Sequence, residues 1–154
     1  MNTAITPLRS GLEEKIWSRD TDYEMLAAWW WALDGWEPPP LQVLPDTGVI
    51  LSRTGEPVCA GFWLISDNAP MAYLLFPVFS PDCSLKLLPM AAKVLFQRLA
   101  DHALASGASQ IATPGGNAAM RRIAENNTDL SPNSIPVYTA YWTSNSKRIV
   151  AMEE

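Results

Sequence analysis

One ten-residue run, Met71-Ala72-Tyr73-Leu74-Leu75-Phe76-Pro77-Val78-Phe79-Ser80, constrains this chain more than any other segment. It is almost wholly apolar, and an extended segment without polar alternation is expected to be covered on both faces of a sheet. Pro77 interrupts it. Proline has no N–H to give to a neighbouring strand, so inside sheets it is confined to edges, bulges and places where pairing stops. The run is therefore predicted to be central at its start and unpaired near its end. Two further strand patterns precede it at residues 49–53 and 57–66, separated by the turn-forming Thr54-Gly55-Glu56 and Asp67-Asn68-Ala69-Pro70. Together the three predict an antiparallel meander.

Helical periodicity flanks the meander. Thr21-Asp22-Tyr23-Glu24 has the spacing of a capping box, which predicts a helix over 22–34 ended by Gly35, with a core stripe of Tyr23, Leu26, Ala27, Trp30 and Leu33 or Asp34. Before it, residues 15–19 alternate as a half-buried strand does, and 1–14 read as an irregular arm. After the meander, a long helix is predicted to begin near residues 85–88 and to run to about 106, where Gly107 ends it. Leu88, Ala92, Leu95, Phe96, Leu99 and Ala103 form its apolar stripe, and Pro89 is tolerable only in its first turn. A short buried strand at 109–113, a helix capped by Asn117 to about 126, and strands at 127–130 and 135–142 complete the pattern. Residues 143–154 form a tail.

The chain has 154 residues, 48% of them apolar, which matches one domain with an ordinary core. Eleven Lys and Arg against sixteen Asp and Glu leave a formal charge of −5. No cationic surplus exists to release counterions from a phosphate backbone, so a duplex-binding protein is not expected. Cys59 and Cys83 make no disulfide framework and no metal-ligand spacing, and a reduced cytoplasm is the default compartment. Neither a leader nor a membrane-spanning run is evident, and no metal is expected.

Trp29, Trp30 and Trp31 step by about 100° each on a helix and so fan over roughly 200°, wider than one core-facing stripe. At least one must face something other than this domain's core. With Trp36 and Pro38-Pro39-Pro40 just beyond, they make either a Trp-rich helix packed on both sides or the rigid aromatic wall of a ligand pocket or partner surface. Other candidates for chemistry are few. His102, the only histidine, sits where a helix end favours a cation and reads as a surface residue. Cys83 reads as a turn residue and Cys59 as core. Asp20, Asp22 and Glu24 suit a helix start. Tyr138 and Tyr141 point to opposite faces of the late strand, and one of them is a candidate to reach a cleft.

In this order of elements, with a strand that stops pairing before a long helix, the chain resembles the GNAT superfamily of acetyl-CoA-dependent N-acyltransferases. It is similar more narrowly to small GNAT-like proteins of bacteriophages, in which a Trp-rich helix is followed by Trp, prolines and a Leu-Pro-x-x-Gly lead-in to a strand. Here these are Trp29-Trp30-Trp31, Trp36, Pro38-Pro39-Pro40 and Leu44-Pro45-Asp46-Thr47-Gly48, and the likeness spans residues 15–142. The resemblance implies an α/β fold whose mixed, mostly antiparallel sheet is flanked by helices and splays after its fourth strand. It implies that the pantetheine arm of acetyl-CoA lies along Phe76, Val78, Phe79 and Ser80, and that the pyrophosphate sits on the next helix start, at Ser84, Leu85 and Lys86. Asn117 matches a family Asn.

The chain departs from that pattern in having no glycine between Gly61 and Gly107, and in carrying Ala124 where the family has a proton-donating Tyr. Tyr138 is the remaining catalytic candidate. Two functions follow. One is acetyl transfer to an amine, of a small molecule, a protein or, against the acidic charge, a modified base in phage DNA, in the host cytoplasm if the chain is phage-encoded. The other is an inactive GNAT-shaped module that binds a protein through Trp29, Trp30, Trp31 and Trp36; a homodimer is a candidate assembly.

Overall fold

Alternation along the meander separates two apolar surfaces, and each recruits one helix. In the computed structural model, which describes residues 4–33 and 37–113, the elements are β1 (Thr6–Pro7), β2 (Glu13–Ile16), α1 (Arg19–Trp31), a 3-10 turn (Leu41–Val43), β3 (Gly48–Arg53), β4 (Glu56–Ile65), β5 (Met71–Phe79), α2 (Leu88–Ala105) and β6 (Gln110–Ala112). The sheet runs in chain order from β1 to β6, antiparallel throughout except for the parallel pair β5 and β6. Parallel neighbours need a crossover between them, and α2 supplies it. The α/β class and the meander are as predicted.

Val49, Leu51, Cys59, Trp63 and Leu74 turn to one face, where α2 covers them with Leu95, Phe96 and Leu99. Ile50, Ala60, Phe62 and Val78 turn to the other, under Trp17, Leu26, Trp29, Trp30 and Leu44. Burial on both faces makes the middle of the sheet the centre of the molecule. One hairpin is tight: Thr54 and Gly55 both have positive φ, 47° and 82°, the signs of a type I′ turn between β3 and β4.

Several elements differ from the sequence expectation. The N-terminal arm is not irregular, since Thr6 and Pro7 pair with Glu14 and Glu13, and Leu12 is fully buried. The first predicted strand, at 15–19, is shifted to Glu13–Ile16 because the helix claims Arg19. That helix does not use the Thr21 capping box. Its N-cap is Ser18, whose N–H donates to Asp22 Oδ2 at 2.7 Å, while Asp22 Oδ1 accepts from Lys15 Nζ at 3.0 Å. A buried carboxylate that accepts two donors holds the start better than an exposed hydroxyl. The stripe shifts with it: Asp22, Leu26, Trp29 and Trp30 are buried, and Leu33 is exposed. The helix α2 begins at Leu88, with Pro89 in its first turn as predicted. The strands β5 and β6 are less covered than expected: Tyr73 is 37% exposed, and Gln110 is exposed. Asp34, Gly35, Trp36, Asn117, Tyr138, Tyr141 and every element predicted beyond residue 113 lie outside the described residues.

Candidate active site

The strand β5 has two different edges. Toward β6 it pairs over Met71–Tyr73, and Thr113 Oγ1, at the limit of the described residues, donates to the Leu74 carbonyl at 3.1 Å. Toward β4 it pairs to Phe79, with one irregularity: Phe62 faces Leu75 and Ala60 faces Val78, so Phe76 and Pro77 together oppose Gly61. This is a bulge, and Phe76 accommodates it with φ of +53°. Pro77 thus stands in the bulge, outside the regular ladder with β4. On the β4 edge the expectation that pairing stops near Pro77 is met only by this bulge, since pairing resumes at Val78, and the residues after Thr113 that bear on the β6 edge lie outside the described ones. Ser80 N–H donates to the Val58 carbonyl at 2.9 Å, so by strand alternation the backbone groups of Phe79 turn to the β6 edge.

Helix packing sets the position of the bulge. A Cβ at Gly61 would lie 2.7 Å from Leu99 Cδ1 and 3.3 Å from Leu95 Cδ1, so α2 rests directly on the backbone of β4 there. On the opposite face, Phe76 packs against the cluster containing Trp17, Trp29 and Trp30, with Tyr23, Met25 and Leu41 beside it. The connector after α1 is fastened to this wall. Tyr23 Oη donates to the Pro39 carbonyl at 2.9 Å, Arg19 donates to the carbonyls of Leu41 and Leu44, and Trp17 Nε1 donates to those of Pro45 and Asp46. Trp29 and Trp30 are therefore wall and core. Trp31 is 66% exposed, the residue of the fan that faces away, as the spacing requires.

The remaining predicted residues follow β5. The Val78 side chain is buried in the core, which leaves only its backbone for a ligand; Phe79 and Ser80 are half-buried. Ser80 Oγ accepts from Asp82 N–H, and its carbonyl from Cys83 N–H. At the start of α2, the Ser84 carbonyl accepts from both Leu87 and Leu88 N–H at 3.0 Å, and Ser84 Oγ accepts from Leu87 N–H at 3.2 Å. Pro89 has no N–H. Three successive positions thus have no amide to spare, while Leu85 projects at 86% exposure beside the exposed Lys86. A pyrophosphate needs converging free amides that the backbone can bring close. The amides of Ser84, Leu85 and Lys86, the residues the resemblance implies for the diphosphate, are not among those that bond to Ser84.

A polar cluster unnoticed in the sequence lies across the sheet. Glu14, 5% exposed on β2, accepts from Arg98 Nε and Nη2 at 2.8 and 3.1 Å and from His102 Nε2 at 3.1 Å. His102 is accordingly not a plain surface residue. Arg98 and His102 stand four apart on one helical face, a spacing readable in the sequence, but their partner lies 84 residues upstream of Arg98. All three groups are consumed by one another, a structural pattern. Cys59 is core and Cys83 half-buried, and burial pushes both thiols up, away from the thiolate form that a nucleophile uses. Among the described residues no three His, Cys, Asp or Glu side chains group as metal ligands, and no helix is long and apolar enough to cross a membrane.

Neither a protein-family model nor a curated protein matches the chain. Solved structures do. A protein of Agrobacterium tumefaciens str. C58, assigned as an acetyltransferase, is similar at 14% identity with a TM-score of 0.65 over 83% of this chain and 99% of that one. The ribosomal-protein-alanine N-acetyltransferase of Brucella melitensis biovar Abortus 2308 is similar at 14% identity and 0.57, over 86% and 99%. The N-acetylglutamate synthase of Neisseria gonorrhoeae, solved with coenzyme A and N-acetyl-glutamate, is similar at 16% identity and 0.55, over 82% of this chain and 28% of that one. The mixed, mostly antiparallel sheet of six strands flanked by helices matches the GNAT fold of these acetyltransferases.

Proposed function

We propose that the protein is an N-acyltransferase that moves an acetyl group from a pantetheine thioester, acetyl-CoA in the simplest case, to an amine. The observation that carries this reading is the end of β5: a bulged strand that turns the Phe79 backbone to the edge away from β4. An extended amide-bearing arm is recognised by such an edge through main-chain hydrogen bonds. Coenzyme A in one structural neighbour supports the donor class. In the transfer, the amine nitrogen bonds to the thioester carbon, the C–S bond breaks, the nitrogen gives up a proton and the thiolate takes one. The strand β5 offers one titratable side chain, Tyr73, so the reading assigns the proton on the thiol to Tyr138 and the amine's proton to water.

Purified protein should release thiol from acetyl-CoA when given a panel of small amines and peptide N-termini, and Tyr138→Phe should lower kcat by about 10- to 100-fold with little change in KM. No thiol release with any acceptor would overturn the reading. A second reading, that of an interaction module, is favoured by one observation: Trp31 at 66% and Leu33 at 42% exposure form an apolar end to α1. Under it Trp31→Ala abolishes association with a protein partner, another copy included, without unfolding the chain. Retained association would remove it.

A further inference from the structure

We infer that Arg19 is a positioning residue for the transfer, holding the connector of residues 37–46 in the shape that receives the amine. The inference rests on the transferase reading and adds the residue that shapes its acceptor side. Among the described residues, every hydrogen bond that the connector accepts from another element comes from Trp17, Arg19 or Tyr23. Arg19 spans the most of it. Its Nη1 donates to the Leu41 carbonyl at 2.6 Å, its Nη2 to the Leu44 carbonyl at 2.8 Å, and Nε and Nη2 donate to Asp46 Oδ1 at 3.1 and 2.7 Å. Its Cζ also lies 5.6 Å from the centroid of the Trp17 ring. The Asp46 carboxylate is exposed and adds little, so the two carbonyl bonds do the holding. A planar fork reaches both carbonyls at once, which a lysine ammonium cannot do. These bonds place Leu41 against the buried cluster of Trp17, Trp29 and Trp30, beside Phe76. On the transferase reading the donor runs from its diphosphate at residues 84–86 back along Ser80, Phe79 and Val78 to Phe76, so the thioester lies at the Phe76 end. The connector therefore borders the reacting carbon and not the nucleotide, and it is the amine that meets it.

The test compares Arg19→Lys and Tyr23→Phe with the parent chain, using acetyl-CoA and the amine of the panel above that the parent consumes fastest. Tyr23→Phe deletes the bond to the Pro39 carbonyl and keeps the ring, so it reads the connector even where Arg19→Lys folds poorly. The KM for the amine is expected to rise about tenfold or more in Arg19→Lys and by less in Tyr23→Phe, while kcat and the KM for acetyl-CoA stay within about threefold. In Arg19→Lys the amides of Val43 and Leu44, which close the 3-10 turn, are expected to exchange hydrogen faster, with those of β3 and β4 unchanged. Equal losses for both substrates, a fall in kcat at unchanged amine KM, or unaltered kinetics overturns the inference and leaves the transferase reading standing. An unfolded Arg19→Lys together with an unaltered Tyr23→Phe overturns it as well. A parent that consumes acetyl-CoA with no amine removes the reading and the inference together.

Discussion

The imidazole of His102 lies flat on the indole of Trp63, with ring planes 3° apart and centroids separated by 4.8 Å. Trp63 is on β4 and His102 in the last turns of α2, so the stack closes the far end of the helix onto the sheet. The ring is also oriented from its edge, because Nε2 must carry the proton it presents to Glu14 Oε2 at 3.1 Å. Glu14 in turn receives Arg98. One carboxylate from the second strand thereby anchors two residues of α2.

This anchor predicts acid sensitivity. Burial is the largest influence on Glu14 and would raise its pKa, but hydrogen bonds from Arg98 and His102, with their charges, together outweigh it and hold the carboxyl below its ordinary value of about 4.5. A carboxyl depressed in the folded state adds stability above its unfolded pKa and loses it as pH falls through the folded one. Arg98→Met should cost on the order of 2 kcal/mol at neutral pH, less than the ~3–5 of a fully buried pair because Arg98 is part-exposed. In urea unfolding, the difference from the parent should narrow below about pH 4. A pH-independent difference would contradict the assignment.

At the bulge, Gly61→Ala should destabilise by about 1–3 kcal/mol, since the new methyl meets Leu99 and Leu95 in a packed core. The same substitution pushes α2 away from β4 beside Phe76 and Pro77, so donor-induced thermal stabilisation should fall with it. Urea midpoints and melting with acetyl-CoA read the two effects separately.

The β3–β4 hairpin holds a β-branched residue in the left-handed region, with Thr54 at φ 47°. Asn adopts that conformation more readily, and Asn-Gly is the favoured type I′ pair. Thr54→Asn should raise stability by about 0.5–1 kcal/mol, measured as a higher denaturant midpoint with unchanged slope.

Adjacent tryptophans should respond oppositely. Trp30 is 3% exposed and its truncation to Ala should cost about 3–5 kcal/mol, whereas Trp31→Ala should stay within about 0.5 kcal/mol. Comparable losses at both positions would mean that Trp31 is covered in solution.

What the sequence determined by itself were features whose causes are local. The meander follows from three extended runs parted by turn residues, the reach of α2 from its apolar spacing with Pro89 and Gly107 at its limits, and an outward tryptophan in the 29–31 fan from the angular step of a helix. Pro77 alone announced an irregularity in the ladder, seen as the bulge against β4, because a missing N–H is a covalent property. Tertiary structure decided the rest. Thr21 and Glu24 have capping-box spacing, yet Asp22 captures Ser18 because Lys15, brought alongside by the strand, makes that buried carboxylate the better acceptor. Glu14, Arg98 and His102 are unremarkable until sheet and helix bring together residues 84 positions apart. That Pro77 disturbs the ladder with β4 by a bulge rather than ending it was likewise open until Gly61 let α2 onto β4 and the bulge settled opposite it. Local signals report what a segment can do by its own covalent geometry; which donor meets which acceptor depends on packing between segments far apart in the chain.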